Sequence, residues 1–240
     1  MIKQSNGKIF LADERGINES TWFRSFNTFN FGKYYNEHKH SFAGIYVFND
    51  DTLNSGRTLN MLVEERTFIV LLPVIGAVDY RDSLGNSNLV AAGQAQVAFL
   101  DRGASIQISN PFKEELVNFL QIWIRADNVN EQVATRLFTY EDVNSYINTC
   151  IPMFPSVTEK PLLSCSIGKF SGRGEAIYCP GNEKAGLFVF VIEGAFEVEG
   201  RLLHARDGLA LWDINEIEME ALSNDAIVLV VESPFTFSRL

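Results

Sequence analysis

Histidine is scarce in this 240-residue chain, which has only His38, His40 and His204. Any metal or general-base chemistry that relies on imidazole must be built from those three. Cysteine is equally scarce: Cys150, Cys165 and Cys179 are odd in number and show no CxxC spacing. That excludes a closed disulfide framework and a thiolate metal knuckle. With no histidine near them to act as a base, they read as structural thiols in a reducing compartment. No run of Lys or Arg occurs, and the net charge is −10. A phosphate backbone is bound through clustered cations, so direct contact with nucleic acid is excluded. No apolar stretch has the ~20 residues that cross a bilayer. The first eight residues, Met1-Ile2-Lys3-Gln4-Ser5-Asn6-Gly7-Lys8, lack the apolar centre and small-residue cleavage site of a secretory leader. These absences predict a cytoplasmic protein with no membrane partner.

What is present is β-structure. Hydrophobic residues make up 46% of the chain, charged residues 21%, and Phe alone occurs 19 times. That is a globular composition rich in strand-forming aromatics. Thr67-Phe68-Ile69-Val70-Leu71-Leu72 is an apolar run bounded by Pro73 and Gly76. Gly93 opens an alternating stretch to Phe99, and Val117-Asn118-Phe119-Leu120-Gln121-Ile122-Trp123-Ile124 reads as a long strand with polar residues interleaved. The second half repeats this plan. Leu187-Phe188-Val189-Phe190-Val191-Ile192 precedes Gly194, and Gly208 opens Leu209-Ala210-Leu211-Trp212, as Gly76 and Gly93 do in the first half. Two similar β-barrels or sandwiches follow from the duplication, in preference to one large sandwich. A short helix is predicted over 139–147, with Thr139 as its N-cap and Glu141 and Asp142 near its positive end. It marks the junction between domains predicted at 1–126 and 127–240.

Six blocks in order carry a resemblance to a known family. They are Asp13-Glu14-Arg15-Gly16; the stretch from Trp22-Phe23-Arg24-Ser25-Phe26-Asn27-Thr28-Phe29-Asn30-Phe31 to Tyr34-Tyr35; Val47-Phe48-Asn49-Asp50-Asp51; Asp82-Ser83-Leu84-Gly85-Asn86; Asn110-Pro111 with Gln121-Ile122-Trp123-Ile124; and Asp207-Gly208-Leu209-Ala210-Leu211-Trp212-Asp213. Together they resemble the pirins, two-domain cupins related to bacterial quercetin 2,3-dioxygenases. The resemblance implies an all-β bicupin, with two tandem double-stranded β-helix barrels and the short helix between them. It also implies one iron-type ion in the first barrel, held by a His-Pro-His pair and a later His-x-Glu pair.

The ligand positions depart from that pattern. Carried over without gaps, the first pair falls on Leu62 and Glu64 and the second on Ile106 and Ile108. One carboxylate among three hydrocarbon side chains does not hold an iron-type ion, so no cofactor is expected. The four positions become a candidate ligand pocket in which Glu64 is the polar anchor, with Arg57 or Arg66 available to neutralise it. The alternative for the same positions is that hydrophobic side chains fill the space of the ion. His38-Lys39-His40 has a metal-like spacing in a polar loop, where a relocated site would need the segment to be a strand. His204 reads as a surface or hairpin residue.

Three functions compete. The leading one is a metal-free, monomeric, pirin-like protein that binds a small molecule or a protein partner without catalysis, since a fold alone specifies no chemistry. The alternative is a quercetinase-type dioxygenase using a relocated metal site. A third is a protein-interaction module with an exposed aromatic patch around residues 22–31, against which stands the packing of those aromatics into the core.

Overall fold

The computed structural model describes residues 5–126, 133–155, 163–182 and 185–233. Within them the chain is built from strands. The first group is β1 (Asn6–Phe10), β2 (Gly16–Glu19), β3 (Phe23–Asn27), β4 (Ile45–Leu53), β5 (Thr58–Leu62) and β6 (Thr67–Ile75). Next come β7 (Ala77–Asp82), β8 (Ser87–Ala91), β9 (Gln94–Leu100), β10 (Ser105–Ser109), β11 (Val117–Arg125) and β12 (Arg136–Thr139). The remainder are β13 (Thr149–Pro152), β14 (Ser164–Phe170), β15 (Glu175–Tyr178), β16 (Gly186–Glu193), β17 (Ala195–Val198), β18 (Arg201–His204), β19 (Gly208–Trp212), β20 (Ile217–Ala221) and β21 (Ala226–Ser233). Among the described residues no helix is long and apolar enough to cross a membrane.

The chain divides into two compact units. One comprises Arg15–Tyr140, in which a seven-stranded sheet of order β12-β9-β6-β11-β4-β3-β2 and a four-stranded sheet of order β5-β10-β7-β8 enclose one core. Alternation selects that core: Val47 and Leu53 of β4, Phe119 and Trp123 of β11, Val78 and Tyr80 of β7, and Ile106 and Ile108 of β10 all point inward. The other unit joins Glu141–Leu240 to the N-terminal stretch ending at Glu14. It has a six-stranded sheet of order β1-β19-β16-β21-β14-β13 and a four-stranded sheet of order β15-β20-β17-β18 around its own core. Two barrel-like units of the same plan match the all-β, two-barrel expectation.

The boundary between the units differs from the predicted 126/127. β1 pairs antiparallel with β19, from Asn6 opposite Trp212 to Phe10 opposite Gly208, so the first strand of the chain completes the second barrel. β12 pairs with β9, Arg136 opposite Val97, and so belongs to the first. Each strand covers what would otherwise be a sheet edge with open hydrogen-bonding groups. Gly7 permits the close approach of β1, since a Cβ there would meet Leu211 at 2.8 Å.

The helix predicted over 139–147 is also corrected. Thr139 ends β12, and only a single 3₁₀ turn forms, Val143–Ser145, capped by the Asp142 carboxylate accepting from the Asn144 amide. The Asp142 carboxylate bonds the backbone two residues on and also takes the Asn144 side-chain amide, local bonds that compete with helix propagation. The duplicated glycines are as the repeat requires. Gly76 and Gly194 both sit at φ +80° where the chain passes from one sheet of a unit to the other, and Gly93 takes φ +88° before β9.

Candidate functional site

The mouth of the first barrel is lined by β5 and β10, which pair with Met61 opposite Ile106 and Leu59 opposite Ile108. Ile106 and Ile108 point inward and are 2% and 1% exposed. Leu59 and Met61 pack against the same core from β5, and Val63 continues the inward row. Leu62 and Glu64 therefore point outward: Leu62 is 62% exposed, and Glu64 is exposed as well. The predicted four-residue pocket is not assembled. Strand alternation puts Leu62 on the outer face and Glu64 lies exposed just beyond the end of β5, while Ile106 and Ile108 lie inside. Arg66 pairs with Asp101 at 2.9 Å and not with Glu64. The set that β5, β10 and Val63 turn to the interior is four hydrocarbons and one thioether, which does not fit an iron-type ion. Among the described residues no group of three His, Cys, Asp or Glu side chains could hold one.

The polar chemistry of this barrel lies on the other wall. Ser25 and Asn27 of β3, Asn49 and Asp51 of β4, and Gln121 of β11 are all at most 1% exposed. Each shares its strand face with core residues, Phe23, Val47 with Leu53, and Phe119 with Trp123 respectively, so all five point into the barrel. The register places Asn27 opposite Asn49 and Asn49 opposite Gln121, with Ser25 opposite Asp51 in the neighbouring row. The Trp123 indole N–H donates to Gln121 Oε1 at 3.2 Å, and Gln121 Nε2 donates to Asp51 Oδ2. Asn27 Nδ2 donates to Ser25 Oγ at 2.9 Å. Burial pushes the Asp51 carboxyl up to about 7, with Asp50 adding to the rise, against the pull of Ser25, Gln121 and Arg15. On the opposite strand face, Asp50 pairs with Arg15 at 3.5 Å and accepts from Asn118 Nδ2 at 2.7 Å.

Sequence reasoning missed this wall, although the blocks carrying the resemblance contain every member of it. The available signal was polar residues at inward positions of strands whose other inward positions are apolar. Gln121 follows Val117 and Phe119 at spacing two, and Asn49 and Asp51 lie between Val47 and Leu53.

The other candidates are placed as follows. His38 and His40 are both exposed in a turn outside any strand, and His38 Nε2 lies 3.6 Å from Glu37. The strand that a relocated ligand pair would need is absent there. His204 is exposed at the end of β18. Trp22, Phe23 and Phe31 pack against the first core, and Phe29 is 1% exposed, so this stretch is packed rather than a free aromatic patch. The cysteines are free thiols; burial pushes Cys150 up to about 12 and raises Cys165 as well. In the second unit, Glu175, Glu197, Glu199, Glu218 and Glu220 line an open groove of about 470 Å³ on the outer face of the β15-β20-β17-β18 sheet.

Comparison with known proteins agrees with this architecture. The profile described as pirin matches residues 11–124, and that described as the quercetinase C-terminal cupin domain matches residues 165–232. The chain is 24% identical over 223 residues to quercetin 2,3-dioxygenase from Escherichia coli K12, covering 91% of this chain and 95% of the relative. It is 25% identical over 229 residues to a pirin-like protein from Caulobacter vibrioides, covering 91% and 96%. Among solved structures, bacterial pirin YhhW from Escherichia coli in complex with nickel(II) superposes with a TM-score of 0.81 at 22% identity, covering 96% of this chain and all of that one. With both barrels matched in order and the fold shared end to end, the chain belongs to the pirin family, related to the quercetin 2,3-dioxygenases.

Proposed function

We propose that this pirin works without a metal in its first barrel, by binding a small molecule or a protein partner and not by turning over a substrate. The observation that carries the reading is the donor chemistry at the barrel mouth. The inward side chains of β5 and β10 are Leu59, Met61, Ile106 and Ile108, followed by Val63. Imidazole nitrogens and carboxylate oxygens are what an iron- or nickel-type ion requires, and a lone thioether does not replace them. The dioxygenase activity named for the Escherichia coli relative and the nickel of YhhW are properties of those proteins.

The deciding experiment is elemental analysis by plasma mass spectrometry of protein expressed with added iron, nickel, copper and zinc, combined with oxygen uptake in the presence of quercetin. Metal far below one ion per chain and no uptake is the expected result. Stoichiometric metal overturns the reading; if it is lost in His38→Ala and His40→Ala, the metal site is a relocated one.

A further inference from the structure

The buried polar wall of the first barrel has an incomplete hydrogen-bond inventory. Asn27 spends its amide nitrogen on Ser25, while its Oδ1 accepts nothing. Neither Oδ1 nor Nδ2 of Asn49 has a partner, whereas the Asp51 carboxyl is met by Gln121 and Ser25. Asn49 lies between Asn27 and Gln121 in the cross-strand row, and one pleat along β4 from Asp51. The three unmatched atoms thus belong to two side chains that stand opposite each other across β3 and β4. A buried polar atom left unpaired is costly, so such atoms meet water or a ligand.

The neighbours cannot supply the missing partners by flipping. Gln121 is locked at both ends, because indole N–H is a donor only and so fixes Oε1 as the acceptor. Turning the Asn49 amide exchanges its donor and acceptor without changing the sum. That sum is two oxygens seeking N–H or O–H, from Asn27 and Asn49, and one NH₂ group seeking an oxygen. A group that gives two hydrogen bonds and receives one from the same end matches it. A primary carboxamide has that inventory: two N–H donors beside one carbonyl.

We infer that Asn27 and Asn49, beside Asp51, form a binding site inside the first barrel for the carboxamide end of a small uncharged molecule, whose apolar remainder lies against the hydrocarbon interior. The inference deepens the reading of this barrel as a metal-free binding module and rests on it. The carbonyl of the ligand accepts from Asn49 Nδ2, and its two N–H groups donate to Asn27 Oδ1 and Asn49 Oδ1. The raised Asp51 carboxyl suits a neutral ligand, since a cation would hold that group ionised.

The test uses acetamide as the probe and N,N-dimethylacetamide as its matched control, which keeps the carbonyl and lacks both N–H donors. Side-chain NH₂ signals of ¹⁵N-labelled full-length protein are followed through each titration, alongside metal content. A saturable shift of the Asn49 signal with acetamide, absent with dimethylacetamide and lost in the Asn27→Ala variant, is the expected result. Should Asn27→Ala fail to fold, Asn49→Ser serves, with the Gln121 signal as the reporter. Equal response to the two probes, or none, overturns the site and leaves water as its occupant; a metal-free protein then keeps the broader reading intact. Stoichiometric metal overturns the broader reading whatever the amide does.

Discussion

Gln121 lies diagonally across from Asp51 inside the first barrel and donates its amide to the buried carboxyl. The direction of that bond is imposed from Trp123, which donates to the other end of the same amide. The relay presents Asp51 with a donor, favouring its charged form, while full burial favours the neutral one. Burial wins, and the group titrates near 7.

A pH dependence follows with a definite sign. The folded-state value lies above the ordinary carboxylate value of 3.8, so the folded protein binds this proton more tightly than the unfolded chain. Below about 4 both states are protonated and Asp51 contributes no slope. Between about 4 and about 7 the unfolded chain releases the proton first, and stability falls as pH rises, by an amount on the order of a few kcal/mol. Asp51→Asn removes that component and keeps an oxygen for Gln121 to donate to. Urea midpoints measured across this range for both proteins should converge toward low pH and diverge toward neutrality, with the variant the more stable at pH 8. Parallel profiles would show that Asp51 does not carry the raised value.

The outer sheet of the second unit sets like charges side by side. Glu220 of β20 lies opposite Glu175 on one flank and Glu197 on the other, and Arg173 pairs with the row, at 2.7 Å from Glu220. Like charges directly opposite on a sheet are destabilising. Glu197→Lys should therefore raise stability by roughly 0.5–1 kcal/mol, and the gain should shrink as salt screens the row. A gain that survives high salt would assign the effect to something other than charge.

Gly208 opens β19 under the ring of Phe188, where an added Cβ would sit 2.5 Å from Cζ. Phe188 is fully buried and cannot swing away. Gly208→Ala should cost about 1–3 kcal/mol through overpacking in thermal or urea unfolding. A neutral result would show that the Phe188 ring has room to move.

The fold was legible because periodicity and glycine placement are local. The apolar run ending at Pro73, its counterpart from Leu187, and the turns at Gly76 and Gly194 are each set by a few adjacent residues. The swap of β1 onto β19 was not legible, since nothing in Asn6-Gly7-Lys8-Ile9-Phe10 names its distant partner. The 3₁₀ turn at Val143–Ser145 was overcalled because charge at a helix start outweighed, in the reading, the local bonding of Asp142 and Asn144. The site failed for a geometric reason. A register one residue off sends every side chain of a strand to the opposite face, and counting without gaps supplies spacing but no facing. The buried polar wall was overlooked because Asn and Gln interleaved in a strand look like a solvent face.

That register can be tested by building the missing site twice. If facing follows the structure, Met61→His and Val63→His combined with Ile106→His and Ile108→Glu bring three imidazoles and a carboxylate into the barrel mouth. The same β10 pair combined with Leu62→His and Glu64→His leaves two imidazoles on the outer face, where Leu62 and Glu64 now point. An octahedral divalent ion needs several such donors converging within about 2 Å of one point, which only the first set supplies. Nickel should therefore raise the melting temperature of the first variant in proportion to the logarithm of its concentration and leave the second unchanged. Both sets bury new polar groups, so each variant is compared with its own chelator-treated form and not with the parent. Binding by the Leu62/Glu64 set and not by the Met61/Val63 set would mean that β5 turns over in the loaded barrel, and that the gapless alignment, not the alternation, reports its inward face.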